Sequence, residues 1–168
     1  MKNVIFGTAL IGAIALSGTV MADELMVKEI EVQTDMDAIE NAKAAAVWQN
    51  LDEDLASAIL TRVSDRIDDQ GAIVAIDIDE ISLANNFELA TGLEDATLRG
   101  WVKVDRVFME RNQEVEMPEE LYELTVSVEQ ARVHYPDGTD VSELKVDSEV
   151  FYQAMLAAFA ENVVEKLQ

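Results

Sequence analysis

The stretch AIVAIDIDEISLA, Ala72–Ala84, decides the fold, because its apolar residues recur at every second position rather than at every third or fourth. Val74, Ile76 and Ile78 line one side of a strand, while Asp77 and Asp79 share the other, about 6.6 Å apart. Glu80 falls where the apolar row leaves the core, and Asn85 and Asn86 mark the strand's end. Downstream, ATLRGWVKVDRVFM repeats the alternation, with Leu98, Val102 and Val104 on one side and Arg99, Trp101 and Lys103 on the other. The acidic segment Glu110 to Glu120 contains Pro118 and has no period, so it reads as the loop of a long hairpin. Its partner strand is LYELTVSVEQARVHY, with Leu124, Val126 and Val128 inward and His134 near its end, before Pro136 to Gly138 turn the chain.

Upstream the period changes. Trp48, Leu51, Leu55, Ile59, Val63 and Ile67 recur every three or four residues and predict a helix from Ala38 to about Ile67. Thr34, Asp35 and Asp37 offer capping oxygens at its start, and Gly71 is expected to close it in the left-handed conformation. Before that helix, MVKEIEVQT alternates as a half-buried strand, with Met26, Ile30 and Val32 on the inner side. A second helix follows Asp147 or Ser148, its broad apolar face running through Val150, Phe151, Ala154, Met155, Ala158, Phe159, Val163 and Leu167. The order strand, helix, three strands, helix predicts an α+β two-layer sandwich, a mostly antiparallel four-stranded sheet with two helices packed on one face. The first strand can join parallel beside the second strand or beside the fourth.

The first 22 residues have the plan of a signal peptide: Lys2, an apolar run from Val4 to Leu16, then small residues with Val20 and Ala22 before a cut at Asp23. The apolar run falls short of the roughly 20 residues of a spanning helix. The expected product is a periplasmic or secreted soluble protein of one domain, residues 23–168, with no membrane insertion after cleavage. There is no cysteine, which excludes disulfides, thiolate nucleophiles and zinc–sulfur sites. Lys2 lies in the leader and all 34 acids follow it, so the mature chain carries 11 basic against 34 acidic residues, a net charge of −23. Such a surface repels nucleic acid and anionic headgroups, and attracts cations or a basic protein partner.

Asp77 and Asp79 are the candidate metal ligands, for calcium or magnesium. A calcium loop of the EF-hand kind counted from Asp77 puts Ile81 at position five and Ser82 where glycine is required, and only its ends fit; counting from Asp35 fails in the same way. Their spacing also falls in the range of glycosidase carboxylates, but an exposed strand face does not supply the burial that raises one pKa. His134 is the single histidine, so histidine-rich metal centres are excluded. Nucleophile-elbow, P-loop and dinucleotide glycine motifs are absent. Trp101, flanked by Arg99 and Lys103, is the candidate partner-binding group, since exposed large aromatics anchor interfaces. A packing pair with Tyr122 or an aliphatic neighbour is the plainer reading of the same residue. Together these features point to a non-enzymatic accessory or binding module without a cofactor. The alternatives are a divalent-cation-binding protein and a carboxylate-dependent hydrolase. The segment Asn85 to Asp95, beside Trp101, is a further place to look for function.

Overall fold

In the computed structural model, which describes residues 24–34, 42–79, 96–110, 113–116, 118–140 and 143–168, the opening stretch forms strand β2, Ala72–Ile78. Val74, Ile76 and Ile78 are buried and Asp77 is exposed, as the alternation requires. β2 pairs antiparallel with β3 (Thr97–Asp105), which buries Leu98, Val102 and Val104. β3 pairs antiparallel with β6 (Glu120–Ser127), and β1 (Val27–Gln33) lies parallel to β2. The sheet order is β1-β2-β3-β6, and the helices share one buried core with its apolar face. This is the expected α+β architecture, with the first strand in the first of its two expected places. The expected signal peptide, the expected capping acids Asp35 and Asp37, and Asn85 to Asp95 lie outside the described residues.

Several local expectations need correction. The first helix is two: α1 (Ala42–Trp48) and α2 (Leu51–Arg62), one apolar row continuing across the break through Trp48, Leu51, Leu55, Ile59 and Val63. Asn50 begins α2, its carbonyl accepting the Asp54 N–H at 2.9 Å, and Asp52, Glu53 and Asp54 complement the positive end of the helix. Ile67 is 47% exposed rather than in the row. Its neighbours bridge to β1, Val27 N–H donating to the Arg66 carbonyl and Asp68 N–H to the Val27 carbonyl. In β1 the pairing register shifts between Val27 and Glu29, so Val27 is buried and Met26 is not, while Ile30 and Val32 keep their inward side. Gly71 does not have positive φ; it is glycine because a Cβ there would lie 2.6 Å from the Val27 carbonyl carbon.

The hairpin loop contains a second, two-stranded sheet, β4 (Val107–Glu110) with β5 (Gln113–Glu116). β6 stops at Ser127, where S-x-x-Q forms a capping box: the Ser127 hydroxyl accepts the Gln130 N–H and the Gln130 side chain accepts the Ser127 N–H. A short helix α3 (Val128–Ala131) and a 3₁₀ turn (Arg132–His134) replace the expected end of the strand, leaving Val133 82% exposed. Helix α4 (Glu149–Lys166) starts at Ser148, whose hydroxyl accepts the Phe151 N–H. It buries every expected apolar residue within it except Val150, and Tyr152, Leu156 and Ala160 besides, while Leu167 is buried at its C-cap.

The three tyrosines share an electrostatic consequence of this packing. Burial pushes Tyr122 up to about 12, with Glu120 adding to it. Burial likewise raises Tyr135, and raises Tyr152 further with help from its 2.6 Å hydrogen bond to Asp54. A phenol whose native pKa is raised contributes stability that is present below its unfolded value and lost as pH climbs through the native one. Absorbance at 295 nm should therefore show the unfolded chain's tyrosines mostly ionised at about pH 11, while Tyr122 and Tyr152 of the folded protein remain neutral. Stability measured by urea should fall steadily from about pH 10 upward. Native and unfolded titrations that coincide would contradict the packing described.

Candidate functional site

The face of the sheet away from the helices is built by strand alternation. Because Val102 and Val104 face the core, Trp101 and Lys103 between and before them face outward, and the register sets them in rows across four strands. One row is Gln33, Asp77, Trp101 and Glu123; the next is Glu31, Ala75, Lys103 and Leu121. Trp101 is 48% exposed and Leu121 62%, on the side of the sheet opposite the buried residues of the same strands. They are diagonal neighbours on adjacent strands, within reach of an aromatic side chain. With Ala75 and the stems of Lys103 and Gln33 they line a shallow depression of about 240 Å³.

No family model and no curated protein matches the chain. The chemistry of the face must therefore be read from its own residues.

Charges surround the apolar pair. Arg99 lies 3.0 Å from Glu123 and 4.0 Å from Asp79, and Lys103 lies 2.9 Å from Glu119 and 3.1 Å from Asp105. Hydrogen bonds that Lys103 donates to Glu119 and then to Asp105 raise its pKa, so this ammonium holds its proton firmly. Both cations beside Trp101 are thus already bracketed by carboxylates on the strands or next to their ends. Glu29, Glu31, Asp77, Asp79, Asp105, Glu119 and Glu123 stand on or beside the face around Arg99 and Lys103. The patch that looks basic in sequence is an apolar pair in a net acidic ring.

Asp77 and Asp79 share this face. Asp77 is exposed and opposite Trp101, while the carboxylate of Asp79 leans toward Arg99. Among the described residues no three His, Cys, Asp or Glu side chains are grouped so as to hold a metal ion. Tyr122 is not the packing partner of Trp101: it lies opposite Val102 on the helix side, where Lys166 Nζ sits 5.9 Å from its ring centre. His134 is on the helix side too, its Nε2 2.9 Å from Glu161 Oε2, where it ties the 3₁₀ turn to α4. A second, wider concavity of about 420 Å³ lies there between Arg62, His134, Glu161 and Glu165. Among the described residues no helix is long and apolar enough to cross a membrane.

Leu121 and the bracketing acids Asp105, Glu119 and Glu123 were missed by the sequence reading. A signal for Leu121 exists: the alternation that turns Leu124 and Val126 inward turns Leu121 and Glu123 outward.

Proposed function

We propose that the protein is an exported, non-enzymatic binding module, released by cleavage before Asp23, whose helix-free sheet face docks a basic polypeptide through Trp101 and Leu121. One observation carries this reading: two large apolar side chains stand side by side in the open, inside a ring of carboxylates. Exposed tryptophan beside exposed leucine keeps apolar area in water that a partner would remove. The acids around the pair make a like-charged or merely apolar partner costly, because covering them without a counter-charge strands desolvated anions. A partner with lysine or arginine around an apolar residue satisfies both demands. The charge of −22 over the whole chain steers such a partner toward it and repels nucleic acid and anionic lipid.

The test is recovery of the protein from the exported fraction after crosslinking, with its intact mass read at the same time. The expected mass is that of a chain starting at Asp23, and the expected partner is basic and lost on raising salt. Trp101→Ala should weaken purified binding about 30-fold, the loss typical of a central interface aromatic, while leaving thermal stability within about 1 to 2 °C. An acidic partner, or binding that survives Trp101→Ala and Leu121→Ala together, would remove the proposal.

A further inference from the structure

The helix-free face runs to an edge that no further strand covers among the described residues. β6 is the outermost strand beyond β3, and its backbone polarity follows from one hydrogen bond. The Asp79 N–H donates to the Arg99 carbonyl at 2.9 Å, so Arg99 aims its backbone groups at the Asp79 side of the sheet. In antiparallel pairing such residues alternate, and Trp101 and Lys103 do likewise toward β2. Leu98, Gly100, Val102 and Val104 therefore aim theirs at β6, where they meet Val126, Leu124, Tyr122 and Glu120. The backbone N–H and C=O groups of Leu121, Glu123 and Thr125 point out of the sheet and have no backbone partner among the described residues. These same three residues place their side chains on the helix-free face.

We infer, resting on the binding-module reading above, that β6 takes up an extended basic segment of the partner as an antiparallel fifth strand. Three unpaired backbone positions about 14 Å from end to end can form six hydrogen bonds with it. The segment's residues opposite Leu121, Glu123 and Thr125 then project onto the helix-free face, so one binding mode satisfies the edge and places side chains beside Leu121 and Trp101. The one opposite Leu121 extends the apolar pair and is apolar itself. The one opposite Glu123 is lysine or arginine. A second copy of this chain does not fit, because antiparallel pairing of two β6 edges about Glu123 opposes glutamates on chains that already repel. The other edge is partly closed: the Arg66–Asp68 segment bridges to Val27, and the register shift after it disturbs the ladder.

The probe is a capped seven-residue peptide with threonine at its odd positions and lysine, lysine and leucine at positions two, four and six. Backbone amide exchange is followed by NMR, together with the indole N–H resonance of Trp101. In the free protein the amides of Leu121, Glu123 and Thr125 should exchange faster than those of Tyr122, Leu124 and Val126. Millimolar peptide should slow those three at least ten-fold and shift the Trp101 resonance. N-methylation of the central lysine, which removes an edge-facing donor, should weaken binding at least ten-fold; N-methylation of a central threonine, whose amide faces away, should change it less than three-fold. A Trp101 shift without edge protection, and with both methylated peptides binding alike, would overturn strand addition and leave the face reading intact. No response at Trp101 or the edge would overturn both.

Discussion

Gly71→Ala is expected to remove about 3 kcal/mol of stability, the upper end of what one added methyl costs in a packed site. The added Cβ would sit 2.6 Å from the Val27 carbonyl carbon, 2.7 Å from Lys28 N and 2.7 Å from the Met26 carbonyl carbon. All three obstacles are backbone, so no rotamer change clears them. Either β1 moves away from the start of β2 or the turn before β2 is rebuilt, and both break the Ala72 N–H to Met26 carbonyl bond at 2.8 Å that begins the parallel pairing. Gly138 is the contrast. Its φ of 83° makes alanine strained, yet nothing lies within 4 Å of the added atom, so Gly138→Ala should cost only about 1 kcal/mol. Urea unfolding of the two variants beside the parent protein measures the difference. Equal losses would mean that crowding against β1 is not what demands glycine at position 71.

The role of Gly71 also marks where sequence reading runs out. A glycine after a run of acids reads as a helix cap, because capping is local and visible in a few residues; a close approach to a strand more than 40 positions earlier is not. Core faces of β2 and β3 were legible because a period of two leaves no freedom over which side each residue takes. The errors fall where one residue changes the phase. The register shift after Val27 exchanges Met26 for Val27, Asn50 restarts the helix, and Ser127 converts a strand into a capped helix. Two of these carry recognisable signals, the acids after Asn50 and the S-x-x-Q from Ser127 to Gln130, which an unbroken apolar row overrode.

The candidate face divides in the same manner. Outward placement of Trp101 follows from its neighbours Val102 and Val104 within one strand. The pairing of Arg99 with Glu123 and of Lys103 with Glu119 depends on the register between β3 and the β6 side, which no single strand encodes. This is why a basic flank in sequence becomes an acidic ring in space.

The two tryptophans should answer mutation in opposite ways. Trp48 is 1% exposed, packs edge-on to Tyr152 at 5.1 Å, and donates its indole N–H to the Val146 carbonyl at 3.1 Å across 98 positions of chain. Trp48→Ala is therefore expected to cost about 4 kcal/mol, combining the cavity of a lost aromatic with a buried carbonyl left unpaired. Against a typical total of about 5 to 15 kcal/mol, that places the variant near the edge of folding. Trp48→Phe separates the contributions: it restores most of the volume but not the donor, and should still lose about 1 to 2 kcal/mol. Fluorescence gives the readout, since Trp48 is enclosed and Trp101 half exposed; Trp48→Ala should leave only red-shifted emission even where the fold persists, and Trp101→Ala only the blue-shifted component. If Trp48→Phe were as stable as the parent, the bond to Val146 would hold no stability and the 98-residue closure would rest on packing alone.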